Sequence, residues 1–403
     1  MVGAGLRTPI GNTLDEFAKS LKEHRSGIRL MPQWEDIKRL RTRLAGLCNI
    51  EGEEEFIARQ YRRSMGRVAI MAALATLDAV KASGLSPEEI ASPLCGVSYG
   101  STEGSIGNQT EYISKMLLGH TLEGIPASWY LKCMSHTCAG NLSILFHARG
   151  PFIASCPACV SGSQGIGFGY EAIKAGKADI MITGGADEAD VLSAAVFDLM
   201  MATSSNYNDR PSETPRPFDE NRDGLVIAEG AATLILEEYE RAKNRGAQIL
   251  GEIQGFWTNG SGMHLTNSDA RSMEECMLAA LKDARCNPAD IQYVNAHATG
   301  TTHGDDVEAT VINKIYGPDV PTTSIKGYMG HTMGACGAIE AIATLLMMRE
   351  GFIASTLNLE SPDPALPPLN HVMGESRNQR FSLAVNNNFA FGGVNTSLVL
   401  SSI

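Results

Sequence analysis

The same order of elements occurs twice in this chain, and that order limits the folds open to it. Ala72-Ala-Leu-Ala-Thr-Leu-Asp-Ala-Val80, then Ser86-Pro-Glu-Glu-Ile90, then an apolar strand to Val97 form the first copy. Leu278-Ala-Ala-Leu-Lys-Asp-Ala284, Asn287-Pro-Ala-Asp-Ile291 and Tyr293-Val294 form the second. Each copy reads as an amphipathic helix, a Pro-bearing turn and a buried strand. A second pair follows the same logic. Ile166 to Ala175 predicts a helix stopped by Gly176 and followed by the strand Ile180 to Thr183, and Gly334 to Arg349, Gly351 and Phe352 to Leu357 repeat it. Glycine just past a helix supplies the left-handed residue that ends it. Ala231 to Leu236 and Ile249 to Trp257 read as further strands. The pattern predicts an α/β protein of two similar halves, residues 1–245 and 246–403.

Composition narrows the function. The 403 residues are 43% hydrophobic and 19% charged, which suits a large packed core and excludes disordered, collagenous and coiled-coil chains. A net charge of −12 with no Lys/Arg-rich block argues against nucleic acid as the main partner. Apolar runs such as Ala338 to Met348 are broken by Glu340 and fall short of the ~20 residues a membrane span needs. The opening Met1 to Pro9 lacks the basic start and apolar run of a secretory signal. Nine cysteines at irregular spacings fit reduced thiols, so a cytoplasmic location is expected.

The chemistry gathers at three strand ends. In Ala154-Ser-Cys-Pro-Ala-Cys159-Val-Ser-Gly162-Ser-Gln-Gly165 a strand gives way to a helix, which puts Cys159 at a helix N-terminus, where unpaired N–H groups favour the thiolate. Gly162, Gly165 and Gly169 leave one face of that helix bare, as close packing against another backbone would require. Cys156-Pro-Ala-Cys159 is also formally a redox or zinc CxxC, although no second pair completes a four-ligand set. A small core residue is the third reading of Cys159. Two histidines weigh toward chemistry. Tyr293-Val-Asn-Ala-His297-Ala-Thr-Gly-Thr301 places one just past the carboxyl end of a strand, where α/β sheets present functional groups. Thr323-Ser-Ile-Lys326-Gly-Tyr-Met-Gly330-His331 repeats the arrangement with a lysine alongside.

With these segments, Arg216-Pro-Phe-Asp-Glu-Asn-Arg-Asp-Gly224, Asp305-Asp-Val-Glu308, Asn387-Asn-Phe-Ala-Phe391-Gly-Gly-Val-Asn395 and Thr8-Pro-Ile-Gly11-Asn12 complete a set in family order. Over essentially its whole length the chain resembles the elongating, two-histidine β-ketoacyl-acyl-carrier-protein synthases of the thiolase superfamily. The resemblance implies a duplicated thiolase-like fold in five layers, αβαβα, and a dimer of like or related subunits. It implies a decarboxylative Claisen condensation that extends a fatty-acid, polyketide or polyene chain by two carbons. Cys159 would carry the acyl group, and His297 and His331 would stabilise the enolate formed from malonyl. The backbone N–H groups of Cys159 and Phe391 would hold the tetrahedral oxyanion, with the Phe391 ring as a gate. Lys326 would order His331 and a polar network of Asp305, Glu308 and Glu340, with Asn395 in support. For the three acids a structural ion pair is the alternative to a direct chemical role.

Thr299 and Thr301 match positions that hold a phosphopantetheine arm, so the partner implied is an acyl carrier protein and no bound cofactor is expected. Among rivals within the superfamily, a noncatalytic chain-length subunit would lack the cysteine. A degradative thiolase would carry a second catalytic cysteine where Asn387 to Phe391 stand, and starter-unit enzymes lack the Lys326-to-His331 motif. Three departures stand out. The start is shorter than is usual for the family. Thr302-His303 stands where proline is frequent and adds a histidine near the site. Glu103 falls where the family has an apolar acyl-pocket residue. A buried lone carboxylate is costly, so Glu103 predicts a polar acyl substrate or a side chain turned to the dimer surface. Arg59, Arg62, Arg63 and Arg67 form the best basic cluster for an acidic carrier, with a solvated helix face as the alternative. The Arg216 to Gly224 segment reads as a solvated structural turn.

Overall fold

A computed structural model describes residues 1–403. Strands β1 (Gly3–Arg7), β2 (Cys95–Gly100), β3 (Phe152–Ser155), β4 (Ile180–Asp187) and β5 (Gly230–Glu237) form one sheet in the order β3-β2-β4-β5-β1. Its first two junctions are parallel and its last two antiparallel. Strands β6 (Glu252–Gly260), β7 (Tyr293–Asn295), β8 (Pro321–Thr323), β9 (Asn370–His371), β10 (Leu383–Ala390) and β11 (Val394–Ser401) form the second. There the order is β8-β7-β10-β11-β6 with the same sequence of junctions, and the short β9 is added outside β8. Without β9, both sheets place their strands third, second, fourth, fifth and first along the chain, which is the duplication expressed as topology.

The main helices are α1 (Arg67–Ser83), α2 (Thr137–Phe146), α3 (Ser161–Lys174), α4 (Ala270–Ala284), α5 (Thr302–Tyr316) and α6 (Cys336–Glu350). Helices α1 and α2 cover the outer face of the first sheet, and α4 and α5 cover the outer face of the second. Between the sheets lie α3 and α6, completing the five layers of the thiolase-like fold. Helix α6 is buried at every position from Cys336 to Met348, so its sequence has no polar stripe. No helix is long and apolar enough to cross a membrane.

The bare face of α3 meets backbone at Gly162 and Gly165, as expected, but side chains at Gly169. A Cβ on Gly162 would lie 2.6 Å from the Gly334 carbonyl oxygen, and one on Gly165 would lie 2.5 Å from that of Gly184. One on Gly169 would meet the Thr183 methyl at 2.3 Å. Two expectations need correction. Phe352 to Leu357 gives only the two-residue strand Phe352–Ile353, paired with Arg377–Asn378 outside the main sheets, and the central strand that follows α6 is β10. An insertion between α6 and β10 thus interrupts the repeat. The Arg216 to Gly224 segment is not a solvated turn, because Arg216, Asp219 and Arg222 are buried. Asp219 accepts from Arg216 Nε at 3.1 Å and from the backbone N–H groups of Asn221, Glu360 and Ser361 at 2.9 Å each.

The glycine contacts give a stability test. Gly165→Ala would push a methyl into the β4 backbone and is expected to destabilise the protein by about 1–3 kcal/mol in urea unfolding. Gly260→Ala, which meets nothing within 4 Å, should stay within about 0.5 kcal/mol of wild type.

Candidate active site

Strand β3 ends at Ser155, and the exposed Cys156 and Pro157 lead into a single 3₁₀ turn, Ala158–Val160, before α3 begins. Ala158 has φ +50°, a left-handed conformation that a non-glycine residue holds only when its surroundings impose it. Ser161 Oγ donates to the Ala158 carbonyl at 2.6 Å. This turn presents Cys159, whose backbone N–H and that of Phe391 are directed at its own sulfur. The sulfur and the ring nitrogens of His297 and His331 lie within 4.8 Å of one another. All three residues are buried.

Burial decides the protonation of this trio. It pushes the Cys159 thiol up to about 12 against the opposing pull of Lys326, so the expected thiolate at the helix start is overridden and the resting group is a neutral thiol. Burial and then the Lys326 charge hold both imidazoles well below the ordinary histidine range. His297 and His331 are therefore neutral, with rings 5.1 Å apart and nearly perpendicular at 87°.

His297 follows β7, and its loop is held by carboxylates that act on backbone. Glu308 accepts the N–H groups of His297 and Ala298 at 2.7 Å each. Asp305 accepts those of Thr299 and Phe218 at 2.9 Å and that of Gly300 at 3.2 Å. Neither acid forms an ion pair with Lys326, which corrects the ion-pair reading for these two, while Glu340 does pair with it. Desolvation raises Asp305 to about 6 and Glu308 to about 8. The ring itself is oriented by a buried chain. Lys326 Nζ pairs with Glu340 Oε1, and the Asn388 amide nitrogen donates to Glu340 Oε2 at 2.6 Å and to His297 Nδ1 at 3.3 Å. An amide nitrogen has no lone pair to offer, so His297 Nδ1 is the acceptor and Nε2 carries the proton.

His331 is set by backbone rather than by the Lys326 side chain, another correction. Its N–H donates to the Val226 carbonyl at 2.7 Å, its own carbonyl accepts from Ala228 at 2.9 Å, and Gly330 before it turns at φ +82°. The side-chain hydrogen bonds of Lys326 lead to His297 instead and its ammonium reaches His331 through charge, while its carbonyl accepts the Gly330 N–H at 2.8 Å and helps set the turn before His331. The trio has the spacing of a metal-ligand set, but the tautomer Asn388 imposes makes His297 Nε2 a donor where a metal needs a lone pair.

A cavity of about 440 Å³ opens onto the trio. Thr299 and Thr301 line it with their hydroxyls 3.0 Å apart, and His303 lies on the same wall. Phe197, Met200 and Leu225 supply an apolar wall, and the Phe391 ring stacks on Phe197 at 5.4 Å. Glu103 is exposed and outside the lining, because the bend turns Ser101 and Thr102 inward and leaves Glu103 out. It is therefore removed from the substrate wall. Asn395 borders the cavity but is bonded to Asn259 and Ser272, not to the Lys326 network. Sequence reasoning missed Asn388 and Phe197. For Asn388 a signal existed, since three consecutive asparagines, Asn386 to Asn388, interrupt a strand that is otherwise apolar and buried.

The thiol's high proton affinity can be checked directly. Site-resolved mass spectrometry of iodoacetamide alkylation should show the Cys159 rate rising about tenfold per pH unit from pH 7 to 10 without a plateau. A plateau below pH 9 would mean that the thiolate is stabilised after all.

Comparison with known proteins identifies the family. The N-terminal domain model of β-ketoacyl synthases matches residues 1–242, and the C-terminal domain model matches residues 250–360. The chain is 33% identical to 3-oxoacyl-[acyl-carrier-protein] synthase 1 of Haemophilus influenzae over 99% of this chain and 97% of that one. A β-ketoacyl synthase crystal structure from Burkholderia phymatum is 42% identical with a TM-score of 0.97, covering 100% of this chain and 98% of that one. The ishigamide ketosynthase/chain length factor structure is 27% identical with a TM-score of 0.94, again covering 100% of this chain and 98% of that one. The chain belongs to the β-ketoacyl synthase family of acyltransferase enzymes.

Proposed function

We propose that the chain extends a carrier-bound acyl group by two carbons through decarboxylative condensation with a malonyl unit. The observation that carries this reading is the convergence of the Cys159 sulfur and two neutral imidazoles within 4.8 Å. In the first half-reaction, the Cys159 sulfur forms a thioester with the acyl carbon as the carrier sulfur leaves. The thiol proton passes to the departing carrier sulfur, so a buried neutral thiol suffices and no net proton is taken up. In the second, malonyl loses CO2, and the electron pair of the broken C–C bond becomes an enolate. Donors such as His297 Nε2–H, with His331 beside it, stabilise the enolate oxygen in a dry site. The nucleophilic carbon then attacks the acyl-Cys159 carbonyl, whose oxyanion the Cys159 and Phe391 N–H groups receive. Collapse expels Cys159 as a thiolate, and one proton taken from solvent restores the thiol and balances the negative charge that the departing CO2 leaves behind. None of these steps asks for a bound metal or redox group.

Residue placement supports the rest of the assignment. Thr299 and Thr301 suit a phosphopantetheine arm, and the wall of Phe197, Met200 and Leu225 suits an acyl chain better than a polar substrate. An acyl carrier protein is the partner this reading needs, and the name of the Haemophilus relative carries the same partner. Within the basic cluster, Arg67 is committed to Glu229, while Arg59 and Arg63 are exposed and available to an acidic carrier. A second synthase subunit, identical or related as in the ishigamide complex, completes the proposed assembly.

The test is incubation with a panel of acyl carriers, followed by mass spectrometry of the loaded cysteine. Loading is expected on Cys159 and should vanish in Cys159→Ala. Loading on Cys156, or none in wild type, would overturn the reading. His297→Ala and His331→Ala should still load, while malonyl decarboxylation falls by about 10²–10³-fold, as for loss of an oxyanion donor.

A further inference from the structure

Asp187, at the end of β4, is buried and takes no part in the steps above. Its carboxylate gathers donors from two separate segments. Oδ1 accepts from Ser101 Oγ at 3.0 Å and from the Thr102 N–H at 2.9 Å. Oδ2 accepts from Thr102 Oγ1 and from the Gly334 N–H, both at 2.6 Å. Each segment leads to a reacting group. Thr102 Oγ1 also lies 3.3 Å from the carbonyl of Ala158, the strained residue before Cys159. Gly334 follows His331 by three residues, and its own carbonyl abuts Gly162 and Gly185, where the two halves touch. No side chain but glycine fits there, since a Cβ on Gly334 would lie 2.6 Å from Asp187 Oδ2.

We propose that Asp187 is a positioning residue that fixes the spacing between the Cys159 sulfur and the His331 ring by clamping the Thr102 bend to the Gly334 turn. The inference rests on the condensing-enzyme reading and adds the link that holds nucleophile and imidazole in register across the two halves. Condensation needs both groups at once, whereas acyl loading needs only the cysteine. Loss of the clamp should therefore separate the two half-reactions.

The carboxylate also leaves an electrostatic mark. Its charge opposes ionisation of Cys159, whereas Lys326 favours it; His297, His331 and Cys336 also lie close to the sulfur, and His303, Asp305 and Glu308 line the same cavity. Asp187 itself, with Cys138 beside it, is raised to about 7 by desolvation, so at pH 8.5 it is ionised. Removing that charge should make the thiol more acidic while it makes condensation slower. A residue that merely holds the fold together would lower both.

The experiment compares Asp187→Asn, Thr102→Val and Thr102→Ser with wild type. For Asp187→Asn we expect condensation to fall about 10- to 100-fold, the scale of a small misplacement of reacting groups, with the KM for the malonyl carrier and the acyl-loading rate within about threefold. Alkylation of Cys159 by iodoacetamide at pH 8.5 should rise about threefold or more. Thr102→Val should lower condensation, and Thr102→Ser, which keeps the hydroxyl, should restore it to within about twofold. Alkylation that is unchanged or falls with condensation, condensation at the wild-type rate, or a serine variant no better than valine would each overturn the proposal. Where Asp187→Asn fails to fold, the Thr102 pair decides. Should wild type load no acyl group, the condensing-enzyme reading falls, and the alkylation arm still judges this one.

Discussion

The two halves of this protein touch through bare backbone, and the site exists because of that contact. Helix α3 begins two residues after the nucleophile, and the Gly334 turn begins two residues after His331. Where they meet, Gly162, Gly185 and Gly334 leave no room for a side chain. A larger residue at any of them would drive the two helix starts apart, and with them the sulfur and the imidazole. Glycines inside a helix weaken it by about 1 kcal/mol each, which burial of α3 between two sheets offsets. Close packing here is therefore a condition for chemistry, in addition to being a contribution to stability.

Low dielectric sets the character of the site built on that contact. Thiol and imidazoles are driven to their neutral forms, so the trio carries no charge of its own at rest. Charge lies instead on the Lys326–Glu340 pair and on buried carboxylates such as Asp187, and a buried pair of this kind leaves an uncompensated ion if either member is lost. Glu340 is satisfied further by Asn388, which fixes the His297 tautomer. The pair thus acts as a fixed dipole behind one imidazole, while backbone geometry holds the other. Asp305 and Glu308 have a different task. They replace the hydrogen bonds that the loop after β7 would otherwise make with water, as buried N–H groups require.

Much of this was legible in the chain because the signals were of the kind that sequence carries well. Duplicated helix–turn–strand segments predicted two equivalent halves, and the glycine spacing of α3 predicted its close approach to backbone. Cys159, His297 and His331 stood at strand ends, where a side chain is exposed to a cleft for geometric reasons. What sequence could not carry was competition between effects. A helix start argues for a thiolate, and only the depth of burial shows that desolvation wins. Arg216, Asp219 and Arg222 look like a solvated turn because their composition is that of one, and their mutual pairing with distant Glu360, Ser361 and Asp363 is invisible locally. Of the two readings of Glu103, the polar-substrate one fails for a related reason, since one residue of phase in a bend separates the inside from the outside. The roles of Asn388 and Asp187 are relations between segments far apart in the chain, and no local pattern records them.

Strand β3 sits at the rim of its sheet with β2 as its single neighbour, and Phe152 at its start is half exposed. An unpaired strand edge is a natural seat for another polypeptide. This rim runs on within four residues from Ser155 to Cys159. Any chain that zips onto it therefore borders the segment that carries the sulfur. Subunit identity could tune the reactivity of the thiol by bracing its approach, without lending a single group to the reaction.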